Sequence, residues 1–194
     1  MRLPFYRIGI GGGALYYGGA LYNIAMGVRA GIFGVLFVAA AGVGVASLHR
    51  RPVWLAILFT LGLLAWTIIE YLLHRLAFHG FAPHYEHHAF PTDPVYIVAP
   101  LWLSLSSTAV LLALFSLAAG SLAAGASIVA GVIAGYMAYE AIHLRIHSPA
   151  AGGKLLRALR KHHYYHHFAS DRVCFGVTSP LWDWIFRSVP LERS

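Results

Sequence analysis

Four long runs with almost no ionisable side chains dominate the chain: Ala30 to Leu48, Val53 to Leu73, about Tyr96 to Leu117 and about Ala126 to Ile142. Each approaches the ~20 apolar residues with which an α-helix crosses the hydrocarbon core of a bilayer. A backbone in lipid has to satisfy its own N–H and C=O groups, so such runs predict helices. The expected fold is an all-α integral membrane protein with about four transmembrane helices in a single domain, residues 1–194. Of the residues, 59% are hydrophobic and 11% charged, well short of the roughly 25% charge of soluble domains.

The joints between the runs are legible too. His49-Arg50-Arg51-Pro52 closes the first, and the proline permits a fresh helix start. Pro91, Pro94 and Pro100 break the approach to the third. Ser-Leu-Ala-Ala-Gly at 116–120 is repeated at 121–125, without charge and with Gly and Ser for a tight hairpin reversal. In the fourth run Gly131 and Gly135 have the Gly-x3-Gly spacing that lets helices approach closely. Residues 1–29 lack a compact apolar segment followed by a small-residue cleavage site, which predicts an interfacial segment rather than a signal peptide.

Four crossings put the N-terminus, the 74–95 segment and the 143–187 segment on one side, with 12 of the 14 Lys and Arg; only Arg50 and Arg51 fall opposite. The positive-inside rule makes the richer side cytoplasmic. Basic residues scattered among apolar spans form no soluble basic face, so the net charge of +7 does not indicate nucleic acid. Cys174 is the only cysteine, which excludes an intrachain disulfide and a cysteine-based metal site.

Histidine supplies the chemistry. Of 12 histidines, five lie in 74–88 and six in 143–167. His84, His87 and His88 repeat the spacing of His163, His166 and His167, while His74 with His79 and His143 with His147 form two further pairs. On a helix the i, i+3, i+4 spacing sends three imidazoles from one face. Neutral imidazole is the commonest metal ligand. These ten histidines exceed what two four-coordinate zinc ions use and suit two ions with about five nitrogens each; iron accepts that coordination, and zinc can take its place in purified protein. His162 is an alternative to His163 and is otherwise a supporting or surface group.

Glu70 and Glu140 precede His74 and His143 by three or four residues, a placement suited to accepting the outer N–H of a bound imidazole. Asp93 and Asp171 are candidates for the same support, equally suited to turns or caps. A redox-capable pair of ions at a membrane face suits oxygen activation against a lipid C–H bond. Hydrolysis is the competing use of paired metals, but no Gly-x-Ser-x-Gly nucleophile motif is present.

The segments Glu-Tyr-Leu-Leu-His-Arg-Leu-Ala-Phe-His (70–79), His-Tyr-Glu-His-His-Ala-Phe-Pro-Thr-Asp-Pro (84–94), Glu-Ala-Ile-His-Leu-Arg-Ile-His (140–147), His-Tyr-Tyr-His-His-Phe (163–168) and Phe-Gly-Val-Thr-Ser-Pro-Leu-Trp-Asp-Trp-Ile-Phe (175–186) resemble the fatty acid hydroxylase and sterol desaturase superfamily, most of all its fatty acid 2-hydroxylase branch. The resemblance implies two iron ions on the ten histidines, molecular oxygen, and electrons delivered from NAD(P)H to hydroxylate an acyl chain next to its carbonyl carbon. Residues 1–29 are too few for the cytochrome b5 domain that some members carry, so a separate cytochrome b5- or ferredoxin-like donor is expected. Tyr164, Tyr165 and Trp182 are candidates for contact with the acyl substrate. A carotenoid ring hydroxylase and a sterol-type desaturase or oxidase are the rival enzymes. A non-catalytic metal-binding or transport protein is the rival of another class, although a transporter places ionisable ligands near mid-membrane.

Overall fold

The computed structural model describes residues 14–80, 82–148 and 152–190. Among them run eight α-helices: α1 (Ala14–Leu48), α2 (Pro52–Leu72), α3 (Ala82–Ala89), α4 (Pro94–Ile97), α5 (Leu101–Ala118), α6 (Leu122–His147), α7 (Lys154–Phe168) and α8 (Leu181–Ile185). A π-helical stretch, Leu73–Ala77, and a 3-10 turn, Phe78–Gly80, prolong α2. Among the described residues, four helices are long and apolar enough to cross a membrane: Ala25–Leu48, Pro52–Gly80, Leu101–Ala118 and Leu122–His147.

Helix α6 is the centre of the bundle. Its most apolar stretch is 61% buried, against 17% or less for the other three. Small side chains are the reason, because Gly, Ala and Ser let neighbouring backbones come close. A Cβ on Gly131 would lie 2.1 Å from the Phe59 carbonyl oxygen, and one on Gly62 would lie 1.9 Å from that of Ile128. Gly135 stands against the Trp66 indole. Leu58 with Ile128, Gly62 with Gly131 and Trp66 with Gly135 advance together, so α2 and α6 are parallel. Gly44 opposite Ser127 and Arg29 opposite Glu140 advance in opposite senses, as do Ser116 with Gly125 and Ser104 with Tyr136, so α1 and α5 are antiparallel to α6. Phe33, Trp66, Val129, Val132, Ile133 and Tyr136 fill the core between them. Gly131→Ala should therefore lower the stability of the detergent-solubilised chain by about 1–3 kcal/mol, the usual range for overpacking, measured by thermal unfolding; an unchanged melting temperature would show that this seam is not tight.

Helix boundaries depart from expectation in instructive places. No break separates residues 14–29 from the first span, and residues 1–13 of the expected interfacial segment lie outside the described residues. Arg29 does not end the helix because Glu140 meets it inside the bundle. The third span starts at Leu101, after Pro100 at the N-cap, while Pro94–Ile97 forms a separate short helix. The tandem repeat divides at the hairpin: its first copy ends α5, Gly120 turns with φ +61°, and Ser121 opens α6 by accepting the Ala124 N–H at 3.3 Å. This turn and the 49–51 turn share one end of the bundle. The histidines lie at the other.

Candidate metal centre

Ten imidazoles converge at that end in two groups of five. The first comprises His74, His79, His84, His88 and His166, the second His87, His143, His147, His163 and His167; within each, one ring nitrogen per residue lies within 4.8 Å of the others. These are the ten singled out from spacing.

The local backbone decides which ring goes where. His74 and His79, five apart, would diverge on an α-helix, but the π-helical turn at 73–77 closes the angle, and their rings stack at 5.6 Å. His143 and His147 lie i, i+4 at the end of α6, ring centres 4.9 Å apart. Helices α3 and α7 each divide their three histidines. The i and i+4 rings, His84 with His88 and His163 with His167, join one group, and the i+3 ring joins the other. Thus His87 joins the histidines of α6 and α7, and His166 joins those of α2 and α3. Three imidazoles leave one helical face, and the angular offset of i+3 sends one of them to the neighbouring group.

The donor set fits a cation. His163 Nε2 lies 3.1 Å from His143 Nε2 and 3.0 Å from those of both His147 and His167, yet a neutral ring offers one N–H in all. In the first group His74 Nδ1–H donates to the Phe175 carbonyl at 2.5 Å and His166 Nδ1–H to that of Val173 at 2.8 Å, which turns both Nε2 lone pairs inward. His74 Nε2 and both nitrogens of His87 are buried without a hydrogen-bond partner in the protein. Burial, followed by the neighbouring imidazoles, pushes His84 and His87 down to about 2. Burial does the same to His88 and His166, to about 4 in each. The rings are therefore neutral near pH 7, with lone pairs facing one another. A bound metal ion satisfies such a cluster.

The predicted supporting residues stand at unequal distances from the two groups. Glu140 faces Arg29, Nε to Oε1 at 2.8 Å, and Tyr136, whose hydroxyl donates to Oε1 at 2.5 Å; it is turned away from His143 by this buried pair. Glu70 accepts from Val177 N, Thr178 N and Thr178 Oγ1 at 2.6 to 2.8 Å, on a segment that approaches His74 from behind. His162 points away from both groups and donates to Asp183 at 2.9 Å. Asp171 stands in an exposed turn near enough to favour the charged forms of His88 and His166. Asp93 precedes α4, its carbonyl accepting the Tyr96 N–H at 3.1 Å. Asp183, fully buried, had no spacing signal to mark it. Its only trace was its place in the apolar, aromatic segment after Thr178. Burial raises its pKa, but donors from His162, Gly176, Ser188 and Phe175 outweigh that and hold it below the ordinary carboxylate value.

An apolar cavity of about 220 Å³ lies between α2, α5 and α6, lined among others by Trp66, Leu103, Leu111, Ile133 and Tyr139. A smaller one of about 30 Å³ reaches His84, His87 and His143 and shares Phe78, Ala99, Leu103 and Tyr139 with the first. The expected substrate contacts are not in these walls: Tyr165 is exposed, Tyr164 packs on Phe168, and Trp182 donates to Thr67 at 3.0 Å. Aromatic residues at a membrane face anchor as readily as they bind.

The fatty acid hydroxylase family model matches residues 59–188. Fatty acid 2-hydroxylase of Homo sapiens is 32% identical over 154 residues, covering 70% of this chain and 40% of the relative. Dihydroceramide fatty acyl 2-hydroxylase FAH2 of Arabidopsis thaliana is 32% identical over 151 residues, 70% of this chain and 62% of the relative. Ceramide very long chain fatty acid hydroxylase SCS7 of Saccharomyces cerevisiae is 32% identical over 164 residues, 74% and 40% respectively. The solved structure of full-length scs7p, in which only the hydroxylase domain is visible, superposes with a TM-score of 0.77 at 29% identity, over 86% of this chain and 67% of that one. The chain thus spans about 40% of the length of the first curated relatives it matches.

Proposed function

Because the chain belongs to the fatty acid hydroxylase family, we propose that it hydroxylates the acyl chain of a fatty acid or ceramide-type lipid next to the carbonyl carbon, using two iron ions and O2. The observation that carries this reading is the pair of five-histidine groups at the mouth of an apolar cavity between membrane helices. Residues His74, His79, His84, His88 and His166 would hold one ion, and His87, His143, His147, His163 and His167 the other. Bound there, two such ions would supply the redox chemistry that places one oxygen atom of O2 in a C–H bond, while two electrons from outside the chain and two protons carry the other oxygen to water.

The protein's own part is positioning and dryness. A methylene chain lying along Leu111, Ile133 and Leu103 presents its carbonyl end at Phe78 and Tyr139, beside His84 and His143. Apolar walls exclude the water that would compete for the site, and a fixed chain keeps one carbon in reach. Electrons arrive from a cytochrome b5- or ferredoxin-like donor charged by NAD(P)H.

We further place the histidine end in the cytoplasm, on the strength of the 12 basic residues on that side, with residues 1–194 acting as one membrane-embedded domain. Protease added to sealed, right-side-out cells should leave 152–190 intact, and cleavage there would reverse the orientation.

Lipid mass spectrometry of cells expressing the chain tests the reaction: acyl lipids gain one oxygen, located at C2 by fragmentation. Leu103→Trp, which fills the shared neck, should remove that product while metal content stays at wild-type level. Unmodified lipids with the wild type supplied with iron and donor would refute the proposal.

A further inference from the structure

The segment from Val173 to Thr178 has no regular secondary structure, yet four of its consecutive backbone N–H groups end on carboxylates. Phe175 N donates to Asp183 Oδ1 at 2.9 Å and Gly176 N to Oδ2 at 2.8 Å. Val177 N and Thr178 N donate to Glu70 Oε1 at 2.7 and 2.8 Å. The remaining valences are also taken, by Ser188 Oγ on Asp183 Oδ1 at 2.7 Å, His162 Nε2 on Oδ2 at 2.9 Å and Thr178 Oγ1 on Glu70 Oε2 at 2.6 Å. Only glycine fits at 176, where a Cβ would lie 2.1 Å from the Ser179 carbonyl oxygen.

The carbonyls of the same segment face the metal centre unequally. Phe175 O and Val173 O receive the Nδ1–H groups of His74 and His166, both of the first group. In the second group the Nδ1 atoms of His87, His143, His147, His163 and His167 are buried with no acceptor among the described residues. Resting on the metal reading given above, we propose that Asp183 and Glu70 are positioning residues for one ion only: they fix the 173–178 backbone, whose carbonyls set the tautomer and orientation of two ligands of the first group. The two ions are thereby held by unlike means. One has ligands locked from behind by main chain, and the other has ligands held by packing alone.

The substitutions separate cleanly because an amide replaces one acceptor oxygen of the carboxylate with an NH2 group that only donates. In Asp183→Asn, whichever way the amide turns, its NH2 meets the N–H of Phe175 or Gly176. In Glu70→Gln the carbonyl keeps both backbone N–H groups, and the Thr178 hydroxyl rotates to accept from the NH2. Outer partners of metal-bound histidine are typically worth 10–100-fold in affinity.

The test uses the full chain in detergent micelles, zinc alone as the probe and a chelator to read affinity. With the second group disabled by His143→Ala and His147→Ala, Asp183→Asn should weaken zinc binding about 10–100-fold, whereas Glu70→Gln alone should leave it near the parent value. With the first group disabled by His79→Ala and His84→Ala, Asp183→Asn should leave zinc affinity unchanged. Equal losses in both backgrounds, or none in either, overturn the inference. If Asp183→Asn does not fold, Thr178→Val removes one Glu70 donor and should give a smaller loss confined to the first group; a loss shared by both groups, or none, is again the overturning result. A wild-type chain that binds no zinc sinks the metal reading itself and this inference with it, whereas two bound ions with indifferent variants sink the inference alone.

Discussion

Cells expressing the His166→Ala variant are expected to make no detectable 2-hydroxylated lipid, while the variant inserts and accumulates like the wild type. The imidazole is fully buried, its Nδ1–H given to Val173 and its Nε2 placed 3.2 Å from that of His88. Alanine leaves the first group with four nitrogens and a gap on the side where α7 closes it. The rest of α7 keeps its seat, because Leu159 packs with Ile146 and Val177, and Arg160 Nε still donates to the Ile146 carbonyl at 2.8 Å. Metal content should fall with activity. A fully active variant would show that the ring is not a ligand.

Arg29→Met should cost about 3–5 kcal/mol of stability, the range for removing one partner of a buried ion pair. Arg29 is 6% exposed and joins Glu140 through Nε at 2.8 and 3.1 Å to its two oxygens, with Ser104 Oγ at 3.0 Å and the Tyr136 hydroxyl completing the set. Methionine has similar reach but leaves the carboxylate uncompensated among apolar helices. Adding Glu140→Leu to Arg29→Met should return much of the loss, because it removes the orphaned charge. Thermal unfolding of the single and double variants in the same detergent measures this coupling, and a double variant no more stable than the single one would refute it.

These two residues mark how far the sequence carried. The place of His166 in a histidine group was readable because one helical face imposes a spacing, and spacing is local. Its companions were singled out in the same way, including His74 and His79, whose separation of five residues the π turn accommodates. Arg29 and Glu140 stand 111 positions apart. Read alone, the arginine looked like part of a basic flank and the glutamate like a support for the next histidine. Only the packing of α1 on α6 brings them together. Asp183 was silent for a related reason: it binds backbone N–H groups, which every residue carries, so no pattern of side chains announces it. Tyr164, Tyr165 and Trp182 have a membrane-face composition that does not distinguish anchoring from binding, and the cavity wall is drawn from span residues such as Leu103 and Ile133.

The division of histidines by α3 and α7 also makes the two halves of the chain depend on each other. A hairpin of two spans followed by a histidine-bearing helix occurs twice, as α1–α2–α3 and α5–α6–α7, with the returning spans α2 and α6 side by side and parallel. Each copy keeps four nitrogens for its own group and lends a fifth across. The exchange stops at the histidine segments, since α6 packs on α1, α2 and α5 whereas α2 packs chiefly on α6. Neither half alone completes a five-nitrogen group, so both must be seated together before either cage is whole.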